Sequence, residues 1–334
     1  MSELTLSLVV PVYNEEQIAG RLVDEIESVM QQMAMPWEAV FVDDGSTDQT
    51  LPILLERRQH DPRVTVIQLS RNWGHQAAIS AGLARARGDA VIIMDGDLQD
   101  PPSVIPHLVE AWRSGAQVVV AQRSSRGDQL LSRVLFRAFY FVLGQVTDFP
   151  IPLNAGIFGL LGRQAVDAVN QINERNRYLP GLRAWIGFPT RVVFYARPAR
   201  VAGKPKQSFP RLLRYALDAI FSFSYKPLRF SLFMGLATAL FAMFFAVVLV
   251  TARIQGVGIF GGPVVIGYTS TIVSILFLGG IQLIGIGILG EYLGRIYDEV
   301  KRRPLYLVQR VFAAETGESV KPGTVPGAPT LSGS

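Results

Sequence analysis

The sequence predicts an α/β domain with a mostly parallel, Rossmann-like sheet, followed by two transmembrane helices. Three observations carry this prediction. Short apolar runs alternate with amphipathic helical patterns between residues 6 and 123, polar loops follow these runs, and two long stretches near the carboxyl end lack charge. Strands that alternate with helices pair in parallel through right-handed crossovers, so the loops that follow the strands meet at one rim of the sheet.

The composition excludes several classes of protein. With 334 residues, 49% of them hydrophobic, the chain is more apolar than most soluble proteins. The net charge of +5 is spread without a dense basic run, which argues against a nucleic-acid partner. The absence of cysteine excludes disulfides, a thiol nucleophile and thiolate zinc sites. No signal peptide opens the chain, so we expect the amino-terminal domain to stay in the cytoplasm.

The first elements follow from hydrophobic periodicity. Apolar positions at Ile18, Leu22, Ile26, Val29 and Met33 keep the spacing of a helix packed on a sheet. Further helices are predicted near 75–86 and 103–114, and the strands at 6–10, 38–42, 64–69, 91–94 and 118–120.

Two polar features near these elements have a structural interpretation. Ser46 and Gln49 have the form of a capping box for the helix that follows the second strand. His60, His75 and His107 are scattered along the chain, and we interpret them as ordinary surface or helix residues.

Two aspartates follow the fourth predicted strand directly. Asp95 and Asp97 stand at its carboxyl end, where open α/β sheets bind their ligands. Two carboxylates with Gln99 beside them suit a hard divalent ion, Mg²⁺ or Mn²⁺, that takes its remaining ligands from phosphates. The alternative is an acidic turn that caps the helix starting near Pro101.

Other charged residues share the predicted rim. Glu15, Asp43 and Asp44 follow the first two strands and can accept hydrogen bonds from ribose hydroxyls or base edges. Arg123 follows the fifth strand. Each acid alone could be a helix cap, but together on one rim they indicate a site for a nucleotide.

Two predicted helices are candidates for the membrane interface. The first, 130–146, is rich in aromatic and aliphatic residues and carries Arg126, Arg133 and Arg137 around it. It is either a core helix or an interfacial helix whose arginines face lipid phosphates. The second, 204–225, has apolar residues on one side and basic residues near it.

The charge-free runs predict two membrane spans, at 230–252 and 268–289. Lys226 and Arg229 precede the first span and four basic residues follow the second, against Arg253 alone between them. By the positive-inside rule both ends are cytoplasmic. Gly290 and Gly294 suit close helix contact. The fingerprint-like run 256–261 lies between the spans without a preceding strand, so we interpret it as a Gly-rich hairpin rather than a dinucleotide site.

These patterns divide the chain into five regions. We predict a cytoplasmic catalytic domain (1–200), an interfacial region (201–228), two transmembrane helices (229–292), a juxtamembrane segment (293–312) and a disordered tail (313–334).

Four ordered motifs resemble the signature series of glycosyltransferase family 2: 11–15, 42–48, 70–75 and 95–102. With two carboxyl-terminal spans, the chain is similar to the polyprenyl-phosphate glycosyltransferases, namely the dolichyl-phosphate mannosyltransferases and, more closely, the bactoprenol glucosyltransferases. The resemblance implies a GT-A fold and inverting transfer of a sugar from a nucleotide diphosphate to undecaprenyl or dolichyl phosphate.

The resemblance also implies roles for particular residues. Asp95, Asp97 and Arg123 would be catalytic, with the metal on Asp95, Asp97 and Gln99. The residues assigned to donor binding are Pro11, Tyr13, Glu15, Asp43, Asp44, Gln76, Arg137 and Lys204, of which Arg137, with Arg123, would contact phosphate. One run departs from the family: 154–160 lacks the acid and the arginine found there in many members.

We therefore expect transfer of a hexose, glucose from UDP-glucose, to polyprenyl phosphate by a multi-pass inner-membrane protein that self-associates. Mannose from GDP-mannose is an alternative. A processive polysaccharide synthase would carry a Gln-x-x-Arg-Trp motif, which Arg183-Ala184-Trp185 does not supply. A catalytically silent nucleotide-sugar-binding scaffold is kept open by the altered run at 154–160.

Overall fold

The structure, a computed structural model, describes residues 4–123, 155–172, 174, 175, 177–195, 226–254 and 267–313. The chain divides into two units. Among the described residues, the first unit holds everything up to Tyr195 together with 303–313, and the second holds 226–254 and 267–302. The predicted interfacial helices at 130–146 and 204–225, the hairpin at 256–261 and the tail from 314 lie outside the described residues.

An eight-stranded sheet forms the centre of the first unit, in the order β7-β5-β6-β4-β1-β2-β3-β8. All five predicted strands are present, with small differences at their ends. The strands are β1 (Leu6–Val12), β2 (Trp37–Asp43), β3 (Val64–Leu69), β4 (Ala90–Ile93), β5 (Val118–Arg123), β6 (Ala155–Gly162), β7 (Thr190–Tyr195) and β8 (Val308–Phe312).

The sheet is parallel except for two strands. The pairs β1–β2, β1–β4, β2–β3 and β5–β7 are parallel. β6 is antiparallel to both β4 and β5, and β8 is antiparallel to β3. β6 enters between β4 and β5, so these two strands are not neighbours in the sheet. All of β1 to β5 still point the same way, so their carboxyl ends share one rim.

Helices cover both faces of the sheet. They are α1 (Ala19–Met33), α2 (Thr50–His60), α3 (His75–Arg85), α4 (Ile105–Arg113), α5 (Arg163–Gln171) and α6 (Leu179–Trp185). Residues of α1, α2 and α4 join one apolar cluster, and residues of α3, α5 and α6 join the other. Successive side chains of β1 alternate between the clusters, with Leu8 and Val10 in the first and Val9 in the second. The unit is a three-layer α/β/α sandwich.

The predicted capping box at α2 does not form. The helix begins at Thr50, and the side chain of Gln49 makes no capping hydrogen bond. Asp48 takes this role, because its Oδ1 accepts hydrogen bonds from the backbone N–H of Thr50 at 3.0 Å and from its hydroxyl at 2.6 Å. Ser46 instead accepts a hydrogen bond from the backbone of Asn14. The helix expected after the second strand is present, but Ser46 does not cap it because it contacts the loop after β1.

The second unit contains two long helices, α7 (Lys226–Ile254) and α8 (Gly267–Val300). Each contains a window that is long and apolar enough to cross a membrane, Leu228–Phe245 and Phe277–Val300, and none of either window is buried. The helices contact each other at Gly285, where an added Cβ would lie 3.1 Å from the hydroxyl of Ser231.

Candidate active site

A cavity of about 320 Å³ opens at the rim where β1, β2 and β4 end. It is lined by Pro11, Val12, Tyr13, Glu15, Asp44, Asn72, Gly74, His75, Ala78, Asp95, Gly96 and Asp97. Six of these residues are among those that the sequence analysis assigned to the site, and they come from three separate loops. The strand ends therefore bring together residues that are up to about 85 positions apart in the chain.

The loop after β4 packs directly on the end of β1. A Cβ added at Gly96 would lie 2.8 Å from Cγ1 of Val12 and 2.9 Å from the carbonyl oxygen of Pro11. Only a glycine fits at this distance from backbone. Gly96 therefore holds Asp95 and Asp97 against Pro11 and Val12, on the wall of the cavity.

A tight turn follows Asp97. Its Oδ1 accepts a hydrogen bond of 3.1 Å from the backbone N–H of Gln99, and Leu98 between them has a φ of 56°. Few residues other than glycine adopt a positive φ, which makes this a strained position of the kind that clusters at functional sites. The turn commits one oxygen of Asp97 to the backbone.

The loops after β1 and β2 are tied to each other. The backbone N–H of Asn14 donates to the hydroxyl of Ser46 at 3.0 Å, and that of Thr47 donates to Oδ1 of Asn14 at 2.9 Å. The N–H of Glu15 donates to the hydroxyl of Thr50 at 2.8 Å. These reciprocal bonds place Tyr13 and Glu15 on the cavity wall, with Tyr13 44% exposed.

Asp44 joins the second loop to a third. Its two oxygens accept hydrogen bonds from the backbone N–H groups of Trp73 at 2.7 Å and Gly74 at 2.9 Å. Gly45 beside it has a φ of 72°, and a Cβ there would lie 2.5 Å from the backbone of Arg71. The 70–75 motif is therefore held at the cavity by Asp44, and Asn72 lines the cavity as a result.

Both aspartates of this loop are buried. Burial raises the pKa of the Asp43 carboxyl, against the hydrogen bonds from Ser46 that lower it. Burial also raises the pKa of Asp44, although the N–H groups of Trp73 and Gly74 favour its charged form. Asp43 is fully buried, does not line the cavity, and its Oδ2 has no hydrogen-bond partner among the described residues.

His75 is a site residue that sequence reasoning missed. It begins α3, lines the cavity, and its Nε2 lies 3.0 Å from Oδ1 of Asp95. The two atoms lie within ion-pair distance, and Asp95 Oδ1 accepts no hydrogen bond from the described residues. Its place at the end of the 70–75 motif, as the first residue of a predicted helix, was the signal that could have identified it.

The oxygen atoms of the acidic loop suit a hard divalent ion. Asp95 Oδ1 and Gln99 Oε1 are buried and lack hydrogen-bond partners within the described residues. Unsatisfied buried oxygens are costly unless a cation or donor meets them. Among those same residues no group of three His, Cys, Asp or Glu side chains forms a complete metal cage. The donor set therefore fits a Mg²⁺-like ion that is shared with a ligand's oxygens.

Arg123 lies outside the cavity lining and is held by two partners. Its Nε donates to the hydroxyl oxygen of Tyr195 at 3.1 Å, and its Nη2 lies 3.4 Å from Oδ1 of Asp100. The Tyr195 hydroxyl in turn donates to Asp100 Oδ1 at 2.6 Å. Burial, followed by the bond to Asp100, raises the pKa of Tyr195 to about 12. Neither Tyr195 nor Asp100 was assigned a role from the sequence.

Other residues that the sequence analysis assigned to the site lie elsewhere. The Gln76 side chain accepts a hydrogen bond of 3.1 Å from the backbone N–H of Leu179, and so ties α3 to α6 instead of facing the cavity. Gln99 is 9% exposed and does not line the cavity. Arg137 and Lys204 lie outside the described residues.

The run that departs from the family forms β6. A buried arginine supports the start of this strand: Arg183 donates from Nη1 to the carbonyl oxygen of Ile157 at 3.0 Å and from Nη2 to that of Gly156. Burial lowers the pKa of Arg183 to about 10. Asn154 itself lies outside the described residues.

Comparison with known proteins gives a consistent family. Residues 7–169 match the profile of glycosyl transferase family 2. The chain is 42% identical over 313 residues to an uncharacterised glycosyltransferase of Synechocystis sp., covering 93% of this chain and 97% of that one. It is 42% identical over 308 residues to a prophage-derived bactoprenol glucosyl transferase of Shigella flexneri, covering 92% and 98%.

A third relative is the prophage bactoprenol glucosyl transferase homologue of Escherichia coli, 42% identical over 309 residues and covering 92% of this chain and 99% of that one. Among solved structures, the chain is similar to glucosyl-3-phosphoglycerate synthase from Mycobacterium tuberculosis in complex with Mn²⁺, UDP-glucose and phosphoglyceric acid. That similarity has a TM-score of 0.43 at 23% identity, and covers 66% of this chain and 79% of that one. The family match and the observed sheet confirm the expected GT-A fold, and the chain is an enzyme that belongs to glycosyltransferase family 2.

Proposed function

We propose that this enzyme transfers glucose from UDP-glucose to a polyprenyl phosphate, with inversion at the anomeric carbon. The observation that carries the proposal is the cavity in which the Asp95-Gly96-Asp97 loop faces Tyr13, Glu15 and Asp44. Two of its relatives carry the name bactoprenol glucosyl transferase or homologue over nearly the whole of both chains, which supports a polyprenol acceptor and a glucosyl donor.

The charge of the cavity supports a metal-bound donor. Among the residues that the structure describes, its lining contains four carboxylates and one histidine, and neither lysine nor arginine. A nucleoside diphosphate is an anion, which these carboxylates would repel in the absence of a cation. We therefore propose that Asp95 and Asp97 hold Mg²⁺ or Mn²⁺, with Gln99 as a further candidate ligand because of its unsatisfied buried oxygen.

Such an ion would neutralise the charge that develops on the departing diphosphate. The side chains have complementary roles in this proposal. Tyr13, Glu15 and Asp44 border the space for the nucleoside, and the Asp44 bonds to the 73–74 backbone keep that space open. Asp43 is fully buried and does not line the cavity, so we assign it a supporting role in the same loop, through the hydrogen bond that its Oδ1 accepts from the backbone N–H of Ser46.

The acceptor brings its own nucleophile. An oxygen of the lipid phosphate attacks the anomeric carbon as the bond from that carbon to the diphosphate oxygen breaks, so the products are a lipid-linked sugar phosphodiester and a nucleoside diphosphate. A phosphate monoester has its second pKa near ~6 and is mostly dianionic at neutral pH, so no proton has to be removed. A side-chain base at the altered 154–160 run is therefore not required.

We also propose that α7 and α8 cross the membrane and that the catalytic unit faces the cytoplasm. Basic residues outnumber acidic ones just before the first predicted span and just after the second, and the positive-inside rule places these flanks on the cytoplasmic side. The chain order adds support, because β7 precedes the two helices and β8 follows them, yet both belong to one sheet. A pair of spans returns the chain to the side from which it left.

The test is a transfer assay with purified full-length protein. Labelled UDP-glucose or GDP-mannose is incubated with undecaprenyl phosphate and Mn²⁺ or Mg²⁺, and label in the lipid extract is measured. We expect glucose to be transferred in preference to mannose. Asp97→Ala should reduce transfer by roughly a thousandfold, since the metal contribution is several kcal/mol.

Asp24→Ala is the matched control, because Asp24 is an exposed acid paired with Arg57 on the helix layer. It should transfer at the wild-type rate. Binding of UDP-glucose without any lipid-linked product would show a nucleotide-sugar-binding scaffold instead, and full activity in Asp97→Ala would remove the metal assignment.

A further inference from the structure

A buried hydrogen-bonded group lies beside the acidic loop, which we define as residues 95–100. Asp100, its last residue, is 1% exposed. Its Oδ1 accepts a hydrogen bond of 2.6 Å from the Tyr195 hydroxyl and lies 3.4 Å from Nη2 of Arg123. The Tyr195 oxygen also accepts a bond of 3.1 Å from Nε of Arg123, so the three side chains form a closed triangle.

The triangle joins three strand ends. Arg123 and Tyr195 are paired directly across the parallel strands β5 and β7, as the last residues of both. Asp100 belongs to the loop that leaves β4. Because β6 separates β4 from β5, the backbone hydrogen bonds of the sheet do not connect the acidic loop to β5 or β7. The side-chain bonds of Asp100 make this connection.

The Tyr195 hydroxyl is held in a fixed position. Its side chain is 6% exposed, and its ring packs edge-on against Phe158 of β6, with 5.5 Å between ring centroids and 89° between planes. A rigid hydroxyl at 2.6 Å from a buried carboxylate is a strong, directional constraint. By contrast, the acidic loop has a strained residue, Leu98, and needs support to hold its shape.

We propose that Tyr195 is a positioning residue for the metal site: through Asp100 it fixes the acidic loop, so that Asp95 and Asp97 present carboxylate oxygens to the divalent ion. The same hydroxyl holds Arg123 at the edge of the loop. This inference rests on the proposed function for the identity of the metal site. Whether Tyr195 fixes the conformation of the acidic loop can be tested independently of the proposed function.

The positioning role of Tyr195 follows from the hydrogen bond that a phenylalanine at this position would remove. In Tyr195→Phe the buried Asp100 carboxylate would keep, of its side-chain contacts within the described residues, only the one with Arg123 at 3.4 Å. A buried carboxylate that loses a charge-assisted hydrogen bond moves toward water or toward another donor. Asp100 is three positions from Asp97, so its movement displaces the turn in which Asp97 accepts the bond from Gln99.

The first measurement is hydrogen exchange of the acidic loop in the full-length protein without ligand. Tyr195→Phe should make the amides of 95–100 exchange about tenfold faster, the effect of losing one charge-assisted bond. Tyr306→Phe is the matched control. Tyr306 is also a partly buried tyrosine, but it packs against the apolar cluster on the face of the sheet opposite to that of Tyr195. It should leave exchange in the loop unchanged.

The second measurement is Mn²⁺ binding in the presence of UDP, followed by the paramagnetic resonance of free Mn²⁺. Supporting groups around metal ligands affect metal affinity by about 10- to 100-fold, so Tyr195→Phe should bind Mn²⁺ at least tenfold more weakly. If Tyr195 acts through Asp100, the double variant Tyr195→Phe with Asp100→Asn should bind no more weakly than Asp100→Asn alone.

Unchanged hydrogen exchange of the acidic loop in Tyr195→Phe would overturn the proposal. It would also be overturned if exchange in this loop became faster to the same extent in Tyr195→Phe and Tyr306→Phe, in proportion to the thermal stability that each variant loses. Additive losses in the double variant would show that Tyr195 does not act through Asp100. Absence of Mn²⁺ binding by the wild-type protein would refute the metal site of the proposed function, and the exchange result would still decide whether Tyr195 holds the loop.

Discussion

Replacing Gly96 with alanine tests whether the contact between the acidic loop and β1 sets the geometry of the site. The new Cβ would lie 2.9 Å from the carbonyl oxygen of Pro11 and 2.8 Å from Cγ1 of Val12. Carbon-to-oxygen contacts in proteins are about 3.3 Å or longer, so the loop has to move away from β1 by about 0.4 Å. Val12 is 3% exposed and has a stiff side chain, so it offers little relief.

Overpacking of this kind costs about 1–3 kcal/mol. For a unit of this size each kcal/mol lowers the thermal midpoint by about 2–4 °C, so the expected decrease is about 2–12 °C. The effect on transfer should be larger than the loss of stability implies. A displacement approaching 1 Å at a catalytic group can reduce the rate by about 100-fold, and we expect about tenfold to 100-fold here.

Two controls separate geometry from stability. Gly156→Ala adds a carbon that meets no atom of the described residues closer than 3.9 Å, and should behave as wild type in both assays. Gly82→Ala adds one 2.3 Å from Cγ1 of Val9, between α3 and β1, and should lower the thermal midpoint without a selective loss of transfer. Wild-type transfer by Gly96→Ala, or an equal loss of transfer in Gly82→Ala, would refute this reasoning.

Three further predictions concern the loops and the edge of the sheet. Asp44→Asn retains one acceptor for two backbone N–H groups, so it should lower the free energy of unfolding by about 1–3 kcal/mol and weaken UDP binding, measured by thermal unfolding and calorimetry. Burial raises the pKa of Asp43 above 3.8, so the contribution of this carboxyl to stability is greatest below pH 3.8 and is lost as the pH rises through the raised pKa. The thermal midpoint of Asp43→Asn should therefore rise relative to that of the wild-type protein between pH 3.8 and neutrality. A constant difference between the two midpoints over this range would contradict the prediction. Val311→Asp, on the partly buried side of β8, should detach this strand from β3 and weaken UDP binding. The reason is that Leu307, just before β8, accepts a 2.9 Å hydrogen bond from the backbone N–H of Ser70 at the start of the cavity loop. The matched control Gln309→Asp, at an exposed position of β8, should have no effect.

Local patterns were sufficient for much of the fold. The five strands that carry the rim are short apolar runs, α1 has helical periodicity and the two long apolar helices are charge-free runs, and each lies close to its predicted position. The same is true of Asp95 and Asp97, whose place directly after a buried apolar run defines a strand end. The family motifs identified the remaining cavity loops for the same reason, since each follows a strand.

Some residues have two possible uses that the local sequence does not distinguish. Gln76 could face a ligand or another helix, and its side chain is used to cap the start of α6 at Leu179. Arg123 was expected to contact phosphate, and the structure engages it with Tyr195, 72 positions away. His75 was interpreted as a surface residue, although α3 begins at the cavity and directs it toward Asp95. In each case the deciding partner is distant in the chain.

The sequence by itself determined that the chain alternates strands and helices, that acidic loops share one rim, and that two apolar helices follow, because periodicity and charge act over a few neighbouring residues. Only the tertiary structure decided that β6 enters the sheet antiparallel between β4 and β5 and that β8 returns to its edge. Because β6 separates those two strands, the acidic loop depends on a buried tyrosine instead of on backbone pairing, and no local pattern contains that contact.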